Sequence, residues 1–137
     1  MKKVVFLTFL GLNFAFAGAN FDALLEACIT KSDSTSCTQI LNYLDDECKK
    51  GVQSKCFLYA DMLGRGVGVE KDVVKSFEVY KQSCEANSSE SCYELSKKYL
   101  DASGTVQSFS LSGIALDKAC KLGSKRACDI LALLPNN

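Results

Sequence analysis

Two ladders of cysteine run through this chain with one period. Cys48, Cys84 and Cys120 are 36 residues apart, and so are Cys56, Cys92 and Cys128. A fixed period of this length marks a repeat array, in which each unit is one supersecondary element stacked on the next. Within a unit the two cysteines lie eight apart. The leading pair, Cys28 and Cys37, is nine apart and off the period, as atypical terminal repeats often are.

Each unit reads as helix, loop, helix. Cys56, Tyr59, Ala60 and Leu63 fall at i, i+3, i+4 and i+7, the apolar stripe of a helix. Gly64-Arg65-Gly66-Val67-Gly68-Val69-Glu70-Lys71 then breaks the helix. Asp72 is suited to cap the next run, whose Val73, Phe77, Tyr80 and Cys84 share a face, and Asn87 can close it in a left-handed conformation. In the following unit Cys92, Leu95, Ser96 and Tyr99 take the first stripe. A loop at 101–107 follows, with Gly104 placed 36 after Gly68. Ser108 caps a helix whose face is expected to hold Leu111, Ile114, Ala115 and the 118–120 run, with Gly113 as a weak point. A terminal helix fits 124–134. Ahead of the array, Asn20 can cap a helix at 21–30, and Ser36 with Gln39 forms a capping box for one at 37–50, closed by Gly51. The expectation is seven helices and no strand.

Eight cysteines allow 105 pairings, so counting alone does not give connectivity. Repetition favours the sequential scheme Cys28–Cys37, Cys48–Cys56, Cys84–Cys92 and Cys120–Cys128, in which every unit closes its own bridge. A metal cluster fits poorly, because C-x7-C is wider than a zinc knuckle and the chain has no His. C-x-x-C, the redox motif, does not occur. No metal or cofactor is therefore expected.

Residues 1–17 carry the three parts of a signal peptide. These are Lys2 and Lys3, an apolar run from Val4 to Phe16, and the small-x-small site Ala15-Phe16-Ala17. Cleavage leaves Gly18 first in a chain of 120 residues with 14 basic and 16 acidic side chains. The apolar run is too short to span a bilayer. The expected product is exported, periplasmic or secreted, where disulfides form and persist. The absence of a basic excess argues against nucleic acid as a partner. The absence of His removes the Ser-His-Asp triad and the His-ligated zinc site.

The unit resembles the Sel-one-like repeat proteins, and more narrowly the Helicobacter cysteine-rich protein family. The matching residues are the cysteine ladders, GRGVGVEKD at 64–72, KQSC at 81–84 and KLGSKRAC at 121–128. The resemblance covers roughly 48–134; the loop at 101–107 lacks the G-x-G and K-D of the pattern. It implies an all-α, tetratricopeptide-like superhelical array clamped by disulfides, with an atypical N-terminal helical cap at 18–51 and repeats over 52–137. It also implies an adaptor for protein or peptide partners. As the alternative it implies a weak penicillin-binding protein or β-lactamase, with a β-lactam or peptidoglycan-like ligand, since the family is often so classed. The residues do not supply that chemistry. S-x-x-K, S-D-N and K-T-G are all missing. Acids such as Glu85, Glu90 and Glu94 read as a solvated helix face. GRGVG at 64–68 matches no phosphate-binding motif and reads as a helix connection.

For binding, the candidates lie off the core stripe on the first helix of each unit. Phe57 and Tyr93 are 36 apart, as are Asp61 and Lys97. An aromatic and a charge one turn apart suit a groove for an extended peptide. Ordinary packing between repeats would use the same aromatics.

Overall fold

The structure, a computed structural model, describes residues 16–135. The signal segment expected at 1–17 therefore lies outside the described residues except for Phe16 and Ala17. Among the described residues there are seven helices and no strand: α1 Phe16–Lys31, α2 Ser34–Lys49, α3 Gln53–Arg65, α4 Val73–Glu85, α5 Ser89–Asp101, α6 Phe109–Lys121 and α7 Lys125–Leu133. The main packing contacts join helices adjacent in sequence, as expected of a stacked array.

Caps punctuate the array. The Asp72 carboxylate accepts from the Lys75 N–H at 2.8 Å, and Ser108 accepts from Leu111 at 3.2 Å. Ser88 and Ser124 cap α5 and α7 in the same way. Two expected caps are corrected. Asn20 lies inside α1, which already begins at Phe16. The cap of α2 is Asp33, not Ser36: the chain turns through a positive φ at Ser32, and the Asp33 carboxylate then accepts from the Ser36 N–H at 2.7 Å. A carboxylate three residues earlier takes the bond that the Ser36–Gln39 box would have made. Those Ser36 bonds hold the Asp33 carboxyl below its usual range.

The turns between helix pairs share one geometry. Gly51, Asn87 and Gly123, spaced by 36, have φ of 90°, 67° and 100°. Beside each turn a bridge joins the helices on either side. Cys48–Cys56 links α2 to α3, Cys84–Cys92 links α4 to α5, and Cys120–Cys128 links α6 to α7. Cys28–Cys37 links α1 to α2 at the opposite end of its helix pair. No described cysteine is left free.

The loops within helix pairs also share a geometry. A Cβ on Gly68 would overlap the Cys37 side chain on α2, and one on Gly104 would overlap the Val73 carbonyl on α4. Cys37 and Val73 are themselves 36 apart, so both loops press on the same point of the preceding even helix. The loop at 101–107 thus keeps the shape of 64–72 without its glycine pattern. Where Gly66 ends α3 at φ 72°, Ala102 ends α5 at φ 53°, a conformation that costs an L-residue energy.

One core cluster, centred on Ala60, Phe77, Tyr80, Leu95, Tyr99 and Leu116, runs through α3–α7. The other, with Ile40, Leu41, Leu44, Tyr59, Met62 and Leu63, joins α1–α3. The expected stripes on α3 and α5 are buried throughout, and on α4 all but Val73 are buried. The stripe on α6 is corrected. Leu111 and Ile114 are exposed, while Ser112, Ala115, Leu116 and Ala119 face inward. The helix is oriented by the Ser108 cap at one end and Cys120 at the other. That places Ser112 where Ser76, 36 earlier, donates to the Ala60 carbonyl at 2.7 Å across the α3–α4 contact.

Two substitutions separate the glycine roles. Gly104→Ala is expected to lower unfolding free energy by more than about 1 kcal/mol, since φ is positive and the space is filled. Gly113→Ala, within α6 and with nothing near a new Cβ, is expected to raise it by about 0.5–1 kcal/mol. Urea unfolding of the oxidised protein measures both.

Removing one bridge, with Cys84→Ala and Cys92→Ala together, is expected to cost about 2–3 kcal/mol by the chain-entropy argument for so short a loop. Circular dichroism should still show a helical protein, because neighbouring pairs keep their own clamps. Loss of all helicity would mean that this turn nucleates the whole array.

Candidate functional site

The odd helices α1, α3, α5 and α7 carry the candidate surface. Phe57 on α3 and Tyr93 on α5 are both half-buried, with part of each ring packed on the core. Phe57 meets Tyr80 edge-on, with centroids 5.8 Å apart. Packing between repeats and a surface role are therefore not exclusive for these rings: part of each is core and part reaches the surface.

The charges one turn further on pair within their own helices. Asp61 takes Arg65 at 3.0 Å, and Lys97 takes Glu94 at 2.7 Å. Asp61 and Lys97 thus share a register but do not pair with each other. The Lys97 ammonium also lies 5.5 Å from the Tyr93 ring centroid. Such exposed pairs contribute little stability, so they remain available to a ligand. Glu94, read from sequence as part of a solvated face, is mostly covered, its side chain 18% exposed.

A third ring continues the series. Phe21 on α1 stands 36 before Phe57, is half-buried, and packs against Tyr43 at 5.3 Å. Counting back by the period from Phe57 reaches it directly. The off-period Cys28–Cys37 pair hides that register, because it bridges the other end of the helix pair. Two cations that sequence reasoning did not single out cover the outer rings. Lys55 of α3 lies 4.0 Å from the Phe21 centroid, and the Arg126 guanidinium of α7 lies 4.7 Å from that of Tyr93. A cation over an aromatic face is attracted by the ring quadrupole.

Beside Phe57 a cleft of about 460 Å³ opens between α3 and the start of α5, lined by Gln53, Ser54, Phe57, Asn87, Ser88, Ser89 and Glu90. Gln53, which lines it, is held by a polar chain: Ser91 donates to Ser83 at 2.8 Å, and Ser83 donates to the Gln53 side-chain oxygen at 2.7 Å. Of the other buried serines, Ser76 bonds the Ala60 carbonyl across α3 and α4, and Ser96 bonds the Tyr93 carbonyl within α5. Among the described residues no cluster of three or more His, Cys, Asp or Glu is placed to hold a metal. Nor is any described helix long and apolar enough to cross a membrane.

No protein-family model matches the chain, and no curated protein matches it in sequence. Solved structures do. Cysteine rich protein B of Helicobacter pylori is similar over 82% of this chain and 92% of its own length, at 24% identity and a TM-score of 0.67. A Sel1 repeat protein from Oxalobacter formigenes is similar over 68% of this chain and 27% of its own, at 24% identity and 0.66. A protective antigen of uropathogenic Escherichia coli strains, described as displaying an SLR fold, is similar over 82% of this chain and 24% of its own, at 15% identity and 0.66. The chain thus spans about a quarter of the length of the last two. The chain shares the Sel1-like repeat fold of these structures, an all-α array clamped by disulfides.

The Tyr80 hydroxyl, behind Phe57, reports on this surface. Burial pushes its pKa well above the ordinary tyrosine value, and the Asp61 and Glu94 carboxylates push it the same way. A folded value above the unfolded one means that the stabilisation is complete below pH about 10 and is lost as pH rises further. Unfolding free energy measured from pH 8 to 12 should therefore fall more steeply in the wild type than in Tyr80→Phe, by up to about 1.4 kcal/mol per pH unit. Parallel curves would place the hydroxyl in contact with solvent.

Proposed function

We propose that the protein is an exported interaction module that holds an extended protein or peptide segment along its odd-helix side. The observation that carries this reading is the ring ladder. Phe21, Phe57 and Tyr93 stand at one register on three successive odd helices, each half-buried. Rings presented at a regular spacing by a rigid array offer large contact area at low entropic cost, as recognition surfaces do. Asp61 and Lys97, one turn on, add charges of opposite sign for backbone or side-chain contacts along the segment. Export is supported by the signal-like segment at 1–17 and by four bridges in so short a chain.

The test captures partners from periplasmic and host extracts on the oxidised protein and compares the double variant Phe57→Leu with Tyr93→Leu. Leucine keeps most of the apolar filling that both rings give the core, whereas Ala would cost about 1–3 kcal/mol at each half-buried ring. A partner bound through this face should be retained at least about tenfold less by the double variant, with the unfolding midpoint little changed. Equal retention would move the interface elsewhere. The exported protein should have the mass of residues 18–137 less eight hydrogens, and an uncleaved cytoplasmic product would remove the export half of the proposal.

A further inference from the structure

The three rings of the ladder differ in one respect. Phe21 is covered by Lys55, and Tyr93 by Arg126, each supplied by the first turn of the next odd helix. The two cations occupy adjacent registers, so the equivalents that would serve Phe57 are Ser91, 36 after Lys55, and Glu90, 36 before Arg126. Ser91 is buried and bonded to Ser83. Glu90 is an exposed carboxylate whose one side-chain partner is the Ser89 hydroxyl at 2.9 Å. Among the described residues no Lys or Arg pairs with Glu90 and none covers the Phe57 ring. In the place where the neighbouring rings have a cation, the middle ring has an open cleft of about 460 Å³ with a carboxylate on its rim.

We infer that the cleft between Phe57 and Glu90 receives a basic side chain, arginine or lysine, from the bound segment. This rests on the peptide-binding reading above and names the chemistry at its centre. The incoming cation takes the position that Lys55 and Arg126 hold over the outer rings, and the Glu90 carboxylate neutralises it, which neither outer site offers. The positive end of α5's dipole points towards the cleft and opposes a cation. The same holds at the first turns of α3 and α7, where Lys55 and Arg126 nonetheless stand, and Glu90 offsets the effect at α5. A guanidinium suits the site best, because it stacks flat on the ring while its fork bonds the carboxylate.

The experiment follows amide and aromatic NMR signals of the oxidised protein during titration with three capped tripeptides, Ala-Arg-Ala, Ala-Leu-Ala and Ala-Glu-Ala. The Arg peptide should shift Phe57 and residues 88–90 saturably. Binding should weaken roughly three- to tenfold in Glu90→Gln. It should vanish in Glu90→Arg, which places the chain's own cation over the ring as Arg126 covers Tyr93. Glu90 is exposed, so both variants should stay folded, with the unfolding midpoint lowered only slightly by the charge change at the positive end of α5; loss of the folded state in Glu90→Gln would mean that Glu90 serves the fold and would overturn its role. An Arg peptide that binds no better than the Leu peptide, or binds Glu90→Arg undiminished, overturns the cation site. If the Leu or Glu peptide then shifts α3 and α5 instead, the peptide-binding face stands and only the cation site falls. If none of the three shifts α1, α3 or α5, both fall.

Discussion

The short turn that joins one helix pair to the next sets the frame for everything else. A bridge between residues eight apart holds their Cα atoms at 4.5–4.7 Å. Eight residues of continuous helix would span about 12 Å, so such a link fits only where the chain reverses between them. The reversal is made by one left-handed residue, Gly51, Asn87 or Gly123, and by a following helix that begins within two residues. With the turn locked at both its backbone and its side chains, each pair leaves the previous one in the same direction. The common register of Gly68 on Cys37, Gly104 on Val73, and the three rings along the odd helices follows from that fixed step.

Covalent spacing is why so much of the fold was legible. The cysteine period exposes the repeat, and the left-handed residues and the Asp72 and Ser108 caps fall out of local chemistry. What was not legible has a physical cause in each case. Leu111 and Ile114 look like core because they are apolar, but orientation is set by the ends of α6, and the inward face includes Ser112. Small hydroxyl residues at close helix contacts are invisible to a pattern search for hydrophobes. Phe21 was missed because the first bridge is at the opposite end of its helix pair, so the cysteine count loses the period where the rings do not. Lys55 and Glu90 lie in no motif, and KLGSKRAC, which contains Arg126, does not mark that residue out. Only the structure shows which ring each of them approaches.

On the proposed reading the ladder rings would combine stability and recognition in single side chains. Phe57 meets Tyr80, in the main core cluster, in a T-shaped contact, and part of the same side chain lines the cleft. Sharing of this kind is expected in a thin array, where each unit buries little core and has few side chains to divide between tasks. It also ties the recognition surface to the frame. A ring held against Tyr80 would lose little freedom on binding, so a ligand there would meet a preorganised surface.

A repeat array can vary its chemistry one register at a time while its backbone stays the same. The register holding Ser54, Glu90 and Arg126 illustrates this. These three occupy the first turn of α3, α5 and α7, where none of them caps a helix, makes a turn or closes a bridge. Each can change charge without disturbing the helix pair beneath it. Where Arg126 stands, the neighbouring ring is satisfied from within the chain. Where Glu90 stands, the preceding ring is left open beside a negative charge. On the proposed reading, specificity would reside less in the repeated positions, which make the frame, than in exposed registers such as this one, where successive repeats disagree.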